Sequence, residues 1–205
     1  MGGGLAAGLL AAVLLHDTQL IEKMIHRSLP VRLDPLRRVQ GWSEFAAVIE
    51  AEREKLQARG GEVFVVADHY GRAGLLSFYM PRAKAAVQAG GRPLVYCVAT
   101  ERPEDQFYFW PGYAEQRAGE NGLFVQELGN PGLREGWLGQ WLREGDSPAL
   151  SKPPETKIPP LPRQLRKQFA RVEDLGPVTV ICKGRPYHYY RLYYCENANP
   201  PGLHE

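Results

Sequence analysis

The stretch 62-EVFVVADHYGRAGLLSFYMP-81 holds two periodicities in twenty residues. Its first part, Val63 to Ala67, is a continuous apolar run. A run that short, without alternation, is what a strand covered on both faces looks like. From His69 to Met80 the spacing turns helical, and Pro81 is read as its stop. A buried strand that opens directly into a helix is the beginning of an α/β layer fold. It also places Asp68, His69 and Tyr70 at the carboxyl end of a strand, where ligands gather in open α/β sheets. The alternative for Asp68 is a helix cap, worth about 1 kcal/mol.

On either side the pattern extends. Upstream, Trp42, Phe45, Ala46, Ile49 and Leu56 recur at helical spacing and end at Gly60–Gly61. Downstream, "RPLVYCVA" (92–99) and "GLFVQEL" (122–128) read as a second and a third strand. Between them lies a long loop, too rich in Phe107, Tyr108, Phe109, Trp110 and Tyr113 for a solvated connection. "LREGWLGQWL" (133–142) has the pattern of an amphipathic helix carrying Trp137 and Trp141, and six prolines follow within 147–162. "RQLRKQFARV" suggests a short basic helix, and "GPVTVICKGRPYHYYRLYYC" an antiparallel hairpin around Gly184. The expectation is an α/β domain over 41–198, with a mostly parallel sheet and an antiparallel C-terminal hairpin, and a tail at 199–205.

The amino-terminal part has a different composition. "LAAGLLAAVLL" (5–15) is uncharged and apolar, but shorter than the roughly 20 residues of a membrane span. Residues 1–21 are read as the end of a transmembrane helix, and 22–40 as a basic connector in which Pro35 disfavours helix at Asp34.

Over the whole chain, 205 residues with 44% hydrophobic and 23% charged side chains are ordinary for a globular domain. The net charge of +2 gives no overall electrostatic instruction, and no nucleic-acid partner is expected. Residues 151–195 nevertheless carry nine Lys/Arg against three Asp/Glu, either a solvated face or a surface for an anionic neighbour such as lipid head groups. Three cysteines without CxxC spacing exclude the common zinc frameworks, and no metal or cofactor is expected. Phosphate-loop, HExxH and GxSxG patterns are absent, so no catalytic residue is assigned. Asp68, Tyr70, Gln106 and Trp110 are the candidate ligand-binding residues: a carboxylate, an amide and aromatic faces suited to a sugar or a flat ligand.

Three motifs in order add a resemblance. Asp34, Pro35, Arg38, Gly41 and Trp42 form the first. Asp68, Tyr70, Ala73, Leu76, Phe78 and Tyr79 form the second, and Gln106, Phe107, Trp110, Pro111 and Gly112 the third. Together they resemble the soluble C-terminal domain of bacterial glycosyltransferases similar to dolichyl-phosphate-mannose–protein mannosyltransferases and to the aminoarabinose transferase of lipid A. Asp105 departs from the asparagine expected before Gln106. The resemblance implies an accessory domain on the periplasmic side of the bacterial inner membrane. It implies a lipid-phosphate-linked sugar donor, and a partner transmembrane bundle holding the catalytic residues outside this chain. A membrane-tethered, non-catalytic ligand-binding module is the alternative.

Overall fold

The computed structural model describes residues 2–16, 18–26, 34, 39–100, 106–129 and 158–199. The expected helix at 133–142, the proline-rich stretch up to residue 157, most of the basic connector and the tail beyond residue 199 lie outside the described residues. Two helices, α1 (Gly2–His16) and α2 (Thr18–Ile25), precede α3 (Trp42–Gln57). Then come β1 (Val63–Ala67), α4 (Tyr70–Tyr79), α5 (Pro81–Gln88), β2 (Val95–Cys97), a 3-10 turn (Gln106–Phe109) and α6 (Tyr113–Gln116). β3 (Asn121–Leu128), α7 (Arg163–Gln168), β4 (Phe169–Cys182) and β5 (Arg185–Ala198) complete the order.

The five strands form one mixed sheet in the order β2-β1-β3-β5-β4. β1 pairs in parallel with β2 and β3, whereas β5 is antiparallel to both β3 and β4. The α/β class therefore holds, with a sheet that is half parallel and half antiparallel by pairing. Every residue of β1 is buried, as its unbroken apolar run requires of a strand with both faces covered. Alternation divides the core. Val63, Val65, Leu123, Val125, Tyr190 and Leu192 meet Phe45, Ile49 and Leu76 of the helices, and Met80 between α4 and α5, on one face. Phe64, Val66, Phe124 and Tyr193 meet Tyr113, Leu165 and Phe169 on the other.

Three features differ from the expectation, each for a local reason. Pro81 ends α4 but also occupies the first turn of α5, where its missing N–H costs nothing and its fixed φ suits the helix. The basic helix stops at Gln168, because Phe169 takes extended backbone and pairs with Ala198, which carries β4 back over the charged residues Arg171, Glu173 and Asp174. In the aromatic loop, the 3-10 turn and α6 replace what looked unstructured. At the membrane-like end, α1 is helical, but no helix among the described residues is long and apolar enough to cross a membrane.

The chain enters the sheet region through a fixed joint. Asp34 is buried and accepts a hydrogen bond from the Tyr187 hydroxyl at 3.1 Å. Trp42 stacks on His188 with ring centroids 4.7 Å apart. Gly41, at φ +82, makes the left-handed turn into α3, and a Cβ there would already touch Cys182 and His188 at 3.5 Å. Arg53, almost fully buried, ties the other end of α3 to β1. Its guanidinium is held by Glu50 and Gln57 and donates to the Val63 carbonyl at 3.2 Å.

Candidate functional site

The carboxyl ends of β1 and β3 are joined by side chains. Asp68, directly after β1, accepts from Arg72 Nε at 2.5 Å and from the Glu127 backbone N–H at 2.8 Å. Arg72 Nη1 in turn donates to Glu127 Oε2 at 2.7 Å. The four-residue spacing that sets Arg72 one helical turn above Asp68 is local, while the contact to Glu127 comes from the parallel pairing of β1 with β3. Burial pulls the Arg72 guanidinium down, and the hydrogen bond and charge of Asp68 more than reverse it.

This arrangement replaces the capping role considered for Asp68. The N-cap of α4 is His69, whose Nδ1 accepts the Gly71 N–H at 3.0 Å. Asp68 is instead a clamp between two strands and a helix. Tyr70 is half exposed, its ring 4.2 Å from that of His69.

Over the same cluster sits Tyr190, fully buried, whose hydroxyl has no hydrogen-bond partner among the described residues. Burial pushes its phenol far above the usual range, Glu127 and Asp68 push it further, and Arg72 opposes them. Its ring stacks on Phe45 at 4.2 Å, a contact that phenylalanine would keep. Tyr190→Phe is therefore expected to cost less than about 0.5 kcal/mol, or to stabilise slightly, because an orphaned buried hydroxyl is lost with the change. Urea unfolding checks this; a loss above about 1 kcal/mol would show that the hydroxyl holds a bonded water.

The second feature is a cleft of about 570 Å3 along β2. β2 stands at one end of the strand order, with α4 and α5 on one side of the cleft and the aromatic loop on the other. Trp110 and Tyr108 line the cleft and remain 58% and 44% exposed, whereas Phe109 is exposed beside them. Tyr96 and Tyr113 form its buried wall. The Tyr96 hydroxyl donates to Gln116 Oε1 at 2.9 Å, and the Tyr113 hydroxyl to Gln168 Oε1. Among the described residues no lysine or arginine lines it. The cleft thus offers stacking rings, neutral polar groups and the Glu115 carboxylate, a surface for a partly apolar ligand.

Of the four residues singled out from sequence, the structure does not assemble one site. Trp110 lies in the cleft; Asp68 and Tyr70 are not among its walls. Gln106 begins the 3-10 turn, and its side chain lies outside the described residues. Tyr96, Gln116 and Gln168 were not foreseen. Tyr96 was hidden in an ordinary strand pattern, and Gln168 is brought in by α7 from more than fifty residues away in the chain. Among the described residues no cluster of three His, Cys, Asp or Glu could hold a metal ion. The five histidines remain scattered in the sequence.

Fold and cleft together define an α/β protein with a mixed five-stranded sheet and an aromatic-rimmed cleft. No family model matches the chain, and no curated protein or solved structure is detectably similar to it.

Proposed function

We propose that this chain is an accessory, ligand-contacting domain of an integral-membrane glycosyltransferase that draws on a lipid-phosphate-linked sugar, the catalytic residues lying in a membrane part outside it. The observation that supports this reading is the exposure of Tyr108 and Trp110 over the cleft, in a protein that also carries an α1 apolar from Gly2 to Leu15. Aromatic faces beside amides are the common chemistry of sugar-ring recognition. The three ordered motifs of the first subsection supply the enzyme class by resemblance. The bacterial inner membrane, with the domain on its periplasmic side, belongs to the same proposal.

The test is sugar transfer from a radiolabelled polyprenyl-phosphate sugar by membranes carrying the gene product with all of its upstream reading frame. Trp110→Ala is expected to lower transfer about tenfold, the worth of a well-placed ring contact, with the melting temperature unchanged. An upstream stop codon, together with no transfer, would replace this reading by that of a membrane-tethered binding module, which the same cleft supports.

A further inference from the structure

β4 and β5 form a hairpin of two 14-residue strands, about 45 Å long at the usual rise per residue. Leu128, the last residue of β3, pairs with Tyr189, so Arg185 to His188 run on past the carboxyl ends of the parallel strands. The turn at Lys183–Gly184 is therefore at the same end of the sheet as Asp68 and Tyr70. The other end of the hairpin, where Phe169 pairs with Ala198, carries α7.

α2 is fastened to the turn end. Glu22 pairs with Arg185 at 3.0 Å, both side chains being about four-fifths buried. Asp34 and Gln40 meet Tyr187 at the same place, so the amino-terminal segment joins the domain there. α1 has apolar side chains all round its axis, with Leu5, Leu9 and Val13 exposed by 80, 66 and 46%. A helix apolar on every side belongs in a core or a bilayer. Near its junction the domain exposes Met24, Val39 and Ile181, by 72, 67 and 49%, with Lys23 and Lys183 also exposed. The acids at this end are occupied: Glu22 by Arg185, Asp68 and Glu127 by Arg72, while Glu44 lies near Lys183 and Asp34 is buried under Tyr187.

We infer that the turn end of the sheet is the face this domain lays on a lipid bilayer. α1 enters the hydrocarbon, Met24, Val39 and Ile181 reach the interface, and Lys23 and Lys183 sit among the head groups. The inference rests on the membrane attachment proposed above and adds its orientation. It also divides the basic residues noted in 151–195. Lys183 faces the bilayer, whereas Arg163, Arg166, Lys167 and Arg171 stand at the far end of the hairpin, out of reach of the same surface.

The experiment uses the full chain in phosphatidylcholine vesicles, with a fluorophore placed in turn on Met24→Cys, Ile181→Cys and Arg166→Cys. The background is Cys97→Ser, since Cys182 and Cys195 are buried. Brominated lipid is expected to quench the Met24 and Ile181 probes at least about threefold more than the Arg166 probe, given the hairpin's length against the bilayer's interfacial depth. Flotation with the vesicles but equal or stronger quenching at Arg166 overturns the orientation and leaves the attachment standing. Flotation with no quenching at any of the three likewise overturns it. A chain that stays free of the vesicles overturns both.

Discussion

Asp68→Ala is expected to lower the unfolding free energy by about 3 kcal/mol, the cost of stranding one member of a mostly buried, hydrogen-bonded ion pair. The carboxylate has two partners in different elements, Arg72 on α4 and the Glu127 N–H on β3. Both ionic side chains are largely shielded, at 15% and 17% exposure, so solvent does not replace what is lost. Glu127, at 38% exposure, still contacts Arg72 and limits the damage. Asp68→Asn keeps an oxygen for the Glu127 N–H but removes the charge facing Arg72, and is expected to cost about 1–2 kcal/mol. A cap would behave otherwise: asparagine caps as well as aspartate, so that substitution would be neutral. Urea unfolding of both variants, with Arg72→Met as the second arm of a double-mutant cycle, reads the coupling. A neutral Asp68→Asn and a loss of only about 0.5 kcal/mol for Asp68→Ala would remove the clamp.

The clamp shows which contacts are legible in a sequence. Arg72 lies four residues from Asp68, a pairing visible from helical spacing alone. Glu127 lies 59 residues away and becomes a neighbour only when β3 is laid beside β1. The same division runs through the fold. β1 declared itself because a strand buried on both faces leaves no polar residue in its run, and α3 because its buried positions repeat at helical spacing. The first half of β4 did not, since it lies at the end of the strand order and most of its residues are partly or fully exposed. Its bulge at Asp174–Gly176 and its Pro177 are devices of an edge strand. In the aromatic loop, the excess of rings predicts packing, yet among the described rings Tyr108, Phe109 and Trp110 stay exposed. The structure then separates Tyr113, which is core, from Trp110, which is not.

Those buried rings govern the response to pH. Tyr113, Tyr187 and Tyr190 are at most 1% exposed, and burial drives each phenol well above its usual range near 10. Burial also pushes the Cys195 thiol up to about 12. All four are neutral when protonated, and in the unfolded chain they ionise earlier. A folded-state pKa raised in this way leaves stability intact below the unfolded value and erodes it as pH climbs toward the folded one. Each group then removes about 1.4 kcal/mol per pH unit. Between about pH 9 and 11 the four together are expected to withdraw roughly 7 kcal/mol, a large part of a domain's usual 5–15. On the acid side, Glu44 is held below its ordinary value by its hydrogen bond from Ser43. Asp174 is held below its ordinary value by hydrogen bonds from Arg191, so its contribution is lost only as pH falls through that lowered value. At 43% exposure the pair is solvent-screened and worth a fraction of a kcal/mol. The domain should therefore tolerate mild acid and unfold steeply in base. Urea titrations across the alkaline range, read beside tyrosinate absorbance, measure the slope. Tyr190→Phe should flatten it by about 1.4 kcal/mol per pH unit above pH 10. Stability that stays level to about pH 11 would mean that these phenols reach solvent before the fold opens.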